Sequence, residues 1–225
     1  VRSLMRLLPS YARVVSGRVD FDGVDLVAAS PQEMRRIRGG RIGFVAQNPF
    51  GALNPILSIE KQFANVLRTR RRASRSQVRE LALSRLRDVQ VRDPERVLRG
   101  YAHELSGGMA QRVVIALAML HDPQLVIADE PTTALDVTVQ RQILDLIAAQ
   151  LSGGNRSLLL VTHDLGVVAQ YCQHVVVMRD GRTVERGPVA EIFASPQHEY
   201  TRQLLDAIPP VPELSPVSQT PEGLT

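Results

Sequence analysis

Two adjacent carboxylates follow a short apolar run near the middle of the chain. The run Leu125–Ala128 lies between Pro123 and Pro131 and is followed directly by Asp129 and Glu130. Its length and composition favour a buried β-strand over a helix. A buried Asp is costly unless it is paired or binds a metal, and ligands of open α/β sheets bind beyond the carboxyl ends of the strands. We therefore expect a metal or a charged ligand here, with an acidic N-cap of the next helix as the alternative.

Two other predicted strands end in side chains that could share this site. Gln47 follows the strand predicted over residues 41–46, and His163 follows the strand predicted over residues 157–162. Since the carboxyl ends of parallel strands meet at one edge, both side chains are expected to approach Glu130. An isolated His is more often structural than catalytic. At this edge, however, amide, carboxylate and imidazole groups together suit a metal-bound phosphate and an attacking water.

A Ser-Gly-Gly sequence precedes an apolar helical segment. Ser106 is a natural N-cap, and Gly107 and Gly108 leave the N–H groups of the first turn accessible. With the positive end of the helix dipole, these groups form an anion site that suits a phosphate. Alone, such a sequence is usually a loop. Here Gln111 and Arg112 follow it, and the acidic strand end comes soon after.

The elements that must position these residues occur in the order α/β core, helical insertion, α/β core and short tail. Asp22-Gly23 and Asp180-Gly181 predict tight hairpins. The segment from Asn48 to about Leu120 has helical patterning, including amphipathic helices over 59–72 and 76–89. Further helices are predicted over residues 1–8, where one ends, and over 31–38, 137–151, 165–171, 188–194 and 200–208.

Composition limits the classes of protein that are possible. The 225 residues carry a net charge of +4 and no apolar run near the roughly 18–20 residues that span a bilayer. The single cysteine, Cys172, excludes an internal disulfide, fits a reducing compartment and is expected to be a small buried residue. Residues 68–72 are rich in arginine but lack interleaved aromatic residues, which favours a solvated helix face over a nucleic-acid site.

Together these motifs resemble the nucleotide-binding subunit of an ABC transporter. Gln47 resembles the Q-loop of the family, and residues 105–112 resemble its signature. The strand ending at Asp129-Glu130 resembles the Walker B strand. Ala134–Asp136 resemble the D-loop and His163 the switch histidine, so that all five motifs occur in family order. The resemblance covers about residues 14 to 208. Residues 47–49, 53–55, 131–138 and 198–201 resemble the dipeptide, oligopeptide and nickel importer branch of this family.

The resemblance implies an α/β fold, an ABC-type P-loop NTPase core with a mostly parallel sheet flanked by helices. It implies one ATPase domain over residues 1–208, with its core at about 1–47 and 121–195 and an inserted helical subdomain at about 48–120. Residues 196–225 would be a C-terminal extension of the oligopeptide-importer type. Its Pro/Ser-rich composition predicts disorder after about residue 209.

The same resemblance assigns roles to individual residues. Asp129 and Gln47 are expected to bind Mg²⁺, Glu130 to act as the general base, and His163 to contact the γ-phosphate of ATP. Gln47 would also report to the membrane partner. The residues expected to contact nucleotide are Ser106, Gly107, Gly108, Met109, Gln111, Asp129 and Asp136. The signature residues among them would reach ATP that is held by the opposite subunit.

ATP and Mg²⁺ are therefore the expected cofactors. The implied partners are transmembrane permease subunits and a second ATP-binding subunit, arranged head-to-tail as a homodimer or a heterodimer. A periplasmic or lipoprotein solute-binding protein would take part indirectly, and no nucleic acid is expected. The implied location is peripheral, at the cytoplasmic face of the cell membrane, with the helical insertion docked on the permease.

One family motif does not occur in the 225 residues. The P-loop sequence is Gly-x-x-x-x-Gly-Lys-Ser/Thr. Lys61 does not fit it, because no glycine stands directly before this lysine. Gly181-Arg182-Thr183 does not fit it either, because Val176 stands at the position of the first glycine. Residues 1–8 resemble the helix that follows the P-loop. The expectation is a chain truncated just after that loop, by a gene-model or fragment artefact or by a real loss. It would bind ATP poorly and have negligible ATPase activity alone. Without a cysteine-rich tail, no iron–sulfur cluster is expected.

Three functions remain open from the sequence. The first is an ATPase subunit that energises import of peptides or similar small solutes. The second is a non-catalytic partner that supplies only the signature half-site to an intact subunit. The third, a soluble ABC ATPase acting on DNA or ribosomes, is allowed by the basic balance. It is disfavoured by the single cassette, the compact insertion and the absence of sustained heptads.

Overall fold

The computed structural model describes residues 1–133, 135–151 and 156–207. The chain divides into two compact units, the first comprising Val1–His163 and the second beginning at Asp164. Two sequence predictions lie outside the described residues, namely the D-loop residue Ala134 and the disordered tail after about residue 209. The predicted division into a core and a helical subdomain stays a prediction.

The first unit contains most of the elements. In chain order they are β1 (Asp20–Phe21), β2 (Val24–Asp25), α1 (Pro31–Ile37), β3 (Ile42–Val45), α2 (Pro49–Ala52), α3 (Ile59–Arg68), α4 (Arg75–Asp88), α5 (Pro94–Arg99), α6 (Gly107–Ala118), β4 (Leu125–Asp129), α7 (Val137–Leu151) and β5 (Ser157–Val161). A 3₁₀ turn at Ala102–Glu104 precedes α6. The second unit contains α8 (Leu165–Tyr171), β6 (His174–Arg179), β7 (Arg182–Pro188), α9 (Val189–Ala194) and α10 (Glu199–Asp206).

Polar side chains fix where the helices begin. Ser30 and Glu33 form a capping box at α1, and Ser74 and Gln77 form another at α4. In each box the serine oxygen accepts an N–H of the first turn, which would otherwise lack a partner. Single side-chain caps begin several further helices, and they are Asn48, Ser58, Asp93, Ser106, Asp164 and His198. In contrast, α9 begins after Pro188 without a side-chain cap.

The parallel sheet of the first unit has the strand order β3-β4-β5. Val45 is in register with Ala128, and Asp129 is in register with Val161. The central strand β4 is deeply buried, with Val126 and Ile127 each 1% exposed, as its apolar run predicts. The strand β5 is equally apolar, yet Leu159 is 38% exposed because β5 pairs only with β4 among the described strands.

The two predicted hairpins are confirmed. The strands β1 and β2 are antiparallel, and their connection Asp22-Gly23 has φ values of 51° and 78°. The strands β6 and β7 are joined by Asp180-Gly181, with φ values of 51° and 76°. Positive φ at both central residues is the geometry of the tight turn that matches the twist of the flanking strands.

The helices between β3 and β4 share one apolar core with the sheet. Phe63 and Leu67 of α3 belong to the same buried cluster as Ile115 of α6 and Val126 of β4. The end of α6 lies directly on β3, where a Cβ at Gly43 would fall 2.6 Å from the carbonyl oxygen of Ala118. A second cluster, which includes Met5, packs on the opposite side of the sheet with Ile42 and Ile127.

Two local predictions are wrong. Residues 1–8 form turns instead of a helix end, because the bonds from Met5 N to Val1 O and from Leu7 N to Arg2 O span different numbers of residues. Residues 70–72 are not on a helix face, because α3 ends at Arg68 and α4 begins at Arg75. The Thr69 hydroxyl closes α3 by donating to the Val66 carbonyl at 2.6 Å.

Within the described part of the chain, the structure contains no helix that is long and apolar enough to cross a lipid bilayer.

Candidate functional site

Three predicted site residues meet at one edge of the parallel sheet. Gln47, Glu130 and His163 follow β3, β4 and β5, and the strand order places Glu130 between the other two. The Gln47 amide nitrogen donates to Glu130 Oε2 at 2.8 Å, and His163 Nδ1 lies 3.6 Å from Glu130 Oε1. The predicted convergence of these side chains is confirmed. The side chains meet because β3, β4 and β5 are adjacent parallel strands whose carboxyl ends lie at the same edge.

The backbone of Glu130 is unusual. Its φ is +46°, a value that is uncommon for a residue with a Cβ and is typically found where the surrounding structure enforces it. The Glu130 N–H donates to the Val161 carbonyl at 2.9 Å, which continues the pairing of β4 with β5 by one residue. The chain then turns sharply, and the Glu130 side chain lies at the rim of the sheet instead of in the core.

Thr133 is a contact of Glu130 to which the sequence analysis assigns no role. Its hydroxyl donates to Glu130 Oε2 at 2.9 Å, and its N–H donates to the Glu130 carbonyl at 3.3 Å. Glu130 Oε2 therefore accepts from both Gln47 and Thr133. A hydroxyl three residues after the carboxylate, in a segment that begins with Pro131, is the sequence signal that could have indicated this turn.

Asp129 and Gln47 line a cleft of about 580 Å³ together with Phe44, Ala46 and Asn48. No cluster of three His, Cys, Asp or Glu side chains that could hold a metal occurs among the described residues. Mg²⁺ does not need such a cluster, because it is usually bound by one or two carboxylates, with water and phosphate oxygens as the other ligands. The Asp129 carboxylate and the Gln47 amide oxygen fit that pattern, since the amide nitrogen is occupied by Glu130.

The Ser-Gly-Gly sequence begins α6 as predicted. Ser106 is exposed and its hydroxyl accepts the N–H of Met109 at 3.4 Å. Gly107 and Gly108 are half-buried against the start of α7. A Cβ at Gly108 would fall 3.0 Å from Val139, and one at Gly107 would fall 3.8 Å from Leu135. The helix start is thus exposed at Ser106 while Gly107 and Gly108 pack against the segment that follows β4.

Gln111 and Arg112, which follow this helix start, point into the protein. Gln111 is 1% exposed, and its amide nitrogen donates to the Ala46 carbonyl at 3.4 Å, while its amide oxygen has no partner. Arg112 donates to the Val89 carbonyl at 2.8 Å and to Gln142 at 3.0 Å, and burial lowers its pKa. Gln111 therefore has an internal partner in the residue before Gln47. Its predicted contact with nucleotide stays a prediction.

Asp136 begins α7. Its carboxylate accepts the N–H of Val139 at 3.0 Å, and its own carbonyl accepts the N–H of Gln140 at 2.8 Å. The residue is exposed. The structure therefore gives Asp136 a capping role, and its predicted contact with nucleotide also stays a prediction.

This chain is similar to known proteins in its sequence and in its fold. A family model described as ABC transporter matches residues 3–133. The chain is 47% identical to the "Probable peptide ABC transporter ATP-binding protein y4tR" of Sinorhizobium fredii over 92% of its length and 62% of that protein. It is 45% identical to the "Dipeptide transport ATP-binding protein DppD" of Bacillus subtilis over 99% of its length and 68% of that protein. The chain thus spans roughly two thirds of the length of these relatives.

Solved structures give the same result for the fold. A dimeric post-hydrolysis structure of the ATP-binding cassette MJ0796, bound to ADP and Pi, superposes with a TM-score of 0.70 at 26% identity over 83% of this chain and 79% of that one. The cbiO1 protein of Clostridium perfringens gives a TM-score of 0.69 at 27% identity over 92% of this chain and 77% of that one. The predicted fold class, a mostly parallel sheet flanked by helices, is confirmed.

Proposed function

The chain belongs to the ABC transporter family, and we propose that it is an ATP-binding subunit that energises import of peptides or similar small solutes. The meeting of Gln47, Glu130 and His163 at one sheet edge is the observation that supports ATP hydrolysis. The names of the relatives, which include peptide and dipeptide transport proteins, support the choice of solute.

In this proposal Glu130 is the general base. Its carboxylate lies at the rim of the sheet, and donors on Oε2 fix its orientation while Oε1 faces His163. A fixed carboxylate can orient a water molecule and accept its proton as the water attacks. Asp129 and Gln47 would hold Mg²⁺, which when bound would neutralise charge on the phosphates of the nucleotide.

His163 and Gln47 flank this base. The His163 side chain is 75% exposed, so a ring nitrogen that is not directed at Glu130 is accessible to a phosphate oxygen. Gln47 is also exposed, and it directly precedes Asn48, the N-cap of α2. A change at the phosphate that displaces Gln47 would therefore act on the start of the helical segment.

That helical segment is where we propose the permease subunits bind. Shortly after Gln47, the side chains of Phe50 and Ile56 are 44% and 83% exposed. Apolar side chains exposed shortly after a residue that contacts the proposed base suit a partner whose movement is coupled to the site. The subunit would then lie at the cytoplasmic face of the membrane, and a solute-binding protein would deliver the peptide from the other side.

The second proposed partner is another ATP-binding subunit. Ser106, Gly107 and Gly108 form an exposed or half-exposed helix start that provides N–H donors. A head-to-tail dimer would place these donors on the γ-phosphate of ATP bound by the opposite subunit. The helix dipole would favour this contact, because it places partial positive charge at the N-terminus of α6.

The test is ATP hydrolysis and peptide uptake by the assembled transporter, with this subunit in the form that its gene encodes. Glu130→Gln should lower kcat by about 10²-fold or more, since it removes the proton acceptor while it keeps the shape of the side chain. The control is Glu191→Gln, a change at an exposed carboxylate of α9. A Glu130→Gln transporter that hydrolyses ATP at the normal rate would refute the proposed role of Glu130.

A second candidate function applies to a polypeptide of these 225 residues alone. It contains the signature but no P-loop motif, so it could supply only the half-site of Ser106–Gly108 to an intact subunit. We expect negligible ATPase activity from this polypeptide by itself and stimulated nucleotide binding when an intact cassette is added. Steady turnover by the isolated polypeptide, above that of its Glu130→Gln variant, would contradict this expectation.

A further inference from the structure

The loop between α3 and α4 concentrates positive charge on the first unit. Residues 68–75 contain five arginines and no acidic residue. The side chains of Arg68, Arg70, Arg71 and Arg72 are exposed, and none of them has a carboxylate within 4.0 Å in the part of the chain that the structure describes. Arg75 makes only a long contact of 3.5 Å with Glu60.

A second basic segment lies next to this loop. The guanidinium of Arg70 occupies the space directly over Gly40, where any Cβ would collide with it. Gly40 follows α1, whose last turn carries Arg35 and Arg36. The contact therefore places the loop beside the segment that follows α1, where Arg35 and Arg36 are also exposed. We call the surface formed by Arg68, Arg70, Arg71 and Arg72 the arginine surface.

The positive charge of this surface affects the pKa of His121. The pKa of His121 is lowered by burial, while its contact with the Val66 carbonyl acts in the opposite direction. The nearby positive charges of Arg70 and Arg71 lower the pKa further. The carboxylate of Asp122 has a smaller effect that raises this pKa.

Beside the loop there is a concave region that could hold a phosphate-bearing headgroup. A cavity of about 380 Å³ is lined by Arg71, Arg72, Gln77 and Ser84, with Glu80 as the only carboxylate in its lining. The guanidinium groups at its edge have the planar geometry that matches phosphate oxygens.

We propose that the arginine surface binds the headgroups of anionic phospholipids. Clustered arginines that have no carboxylate within 4.0 Å among the described residues are attracted to a negatively charged leaflet, and each contributes appreciably to binding. Single-stranded nucleic acid is disfavoured, because residues 68–75 offer no aromatic side chain on which a base could stack. The choice of a membrane over duplex nucleic acid rests on the proposed function, which places the subunit beside a lipid bilayer.

The test is sedimentation of the chain with phosphatidylglycerol vesicles and with phosphatidylcholine vesicles over a range of salt concentrations. We expect binding to the anionic vesicles at low salt that weakens as salt screens the charges. The triple variant Arg68→Gln, Arg71→Gln and Arg72→Gln should bind about a hundredfold more weakly, since each arginine near the surface contributes about fivefold. Arg70 is kept, because it packs on Gly40.

The matched control removes the same charge elsewhere through Arg92→Gln, Arg182→Gln and Arg186→Gln, three exposed positions outside the arginine surface. It should bind the vesicles like the unmodified chain, and both variants should keep the thermal unfolding midpoint. Equal binding to both vesicle types, equal losses in both variants, or tighter binding to a short DNA duplex than to anionic vesicles would each overturn the proposal. Because the assay needs neither nucleotide nor permease, its failure would leave the ATPase test of Glu130 untouched.

Discussion

The Glu130 carboxylate accepts two hydrogen bonds on one oxygen and faces His163 with the other. Gln47 and Thr133 donate to Oε2, and His163 lies near Oε1. The positive φ of Glu130 turns the chain so that Thr133 can reach back to the same side chain. The orientation of the proposed base is thus determined by residues before it in the sequence, directly after it, and a strand further on.

Thr133 should therefore affect catalysis without contacting the nucleotide. Thr133→Val keeps the side-chain volume but removes the hydrogen bond of 2.9 Å to Glu130. A typical hydrogen bond contributes about 1 kcal/mol, so kcat for ATP hydrolysis by the assembled transporter should fall about fivefold. KM for ATP should stay unchanged, because the binding contacts remain.

Thr133→Ser is the conservative control, and it should restore most of the lost kcat because it keeps the hydroxyl. Thr133 is exposed, so neither variant should shift the unfolding midpoint by more than a degree or two. If the Val and Ser variants had the same kcat as the unmodified subunit, Thr133 would not position Glu130.

The contrast between Glu130 and Thr133 shows what the sequence could predict about the site. Apolar runs mark the ends of β3, β4 and β5, so the meeting of Gln47, Glu130 and His163 follows from a parallel sheet. The contact of Thr133 depends on a backbone conformation that Glu130 adopts only because the surrounding turn imposes it. The sequence Pro131-Thr132-Thr133 indicates a turn, but it does not specify the positive φ of Glu130 that brings Thr133 to the carboxylate.

At the scale of elements, the packing of α6 on β3 fixes how the helical segment sits on the sheet within the first unit. Gly43 is buried in β3, and a Cβ there would lie 2.6 Å from the carbonyl oxygen of Ala118 at the end of α6. A side chain at this position would push the helix away from β3, the strand that precedes Gln47.

Gly43→Ala should consequently destabilise the protein by about 2 kcal/mol or more, since a Cβ 2.6 Å from a backbone oxygen cannot be accommodated without moving α6. Urea unfolding measures the change. The matched control is Gly51→Ala in α2, where a Cβ would make an ordinary contact of 3.4 Å with Asn48, and its unfolding free energy should change little. Similar losses in both variants would contradict the close approach of α6 to β3.

Elements bounded by capping or turn residues were predictable from the sequence, and elements without such residues at their ends were not. Serine and asparagine caps and the two Asp-Gly turns place the helices and hairpins close to their predicted positions. Between Arg68 and Ser74, by contrast, there is no Gly or Pro, and arginine and alanine are good helix formers. The end of α3 therefore depends on the Thr69 hydroxyl and on packing, which local propensity does not reveal.

At the scale of the whole molecule, the chain forms two compact units, and the boundary between them in the sequence lies between His163 and Asp164. The sequence has no glycine, proline or polar linker at this boundary, since Asp164 follows His163 directly and already caps α8. The sequence therefore predicts a single domain, and the grouping of contacts into units is a result of three-dimensional packing. Each unit has its own internal polar contacts, so each should respond separately to a change that breaks them.

Glu185 provides such a change in the second unit. It lies in β7, and its carboxylate accepts the N–H groups of Gln197 at 2.7 Å and His198 at 3.2 Å, at the start of α10. The hydroxyl of Thr201, only 3% exposed, lies beside Glu185 without a hydrogen bond of normal geometry. The pKa of Glu185 is lowered by this hydroxyl first and then by the N–H groups.

A lowered pKa in the folded state means that ionised Glu185 stabilises the second unit above the ordinary glutamate pKa of 4.5. This stabilisation is lost as the pH falls through the lowered value. Glu185→Gln should therefore accelerate hydrogen exchange in α10 at pH 7, whereas the difference from the unmodified chain should shrink as the pH falls below 4.5. Exchange in β4, which belongs to the first unit, should not change. Glu191→Gln in α9 serves as the control, because the Glu191 side chain is exposed. A loss of protection in α10 that was equally large at pH 7 and pH 3 would show that Glu185 acts through packing instead of through its charge.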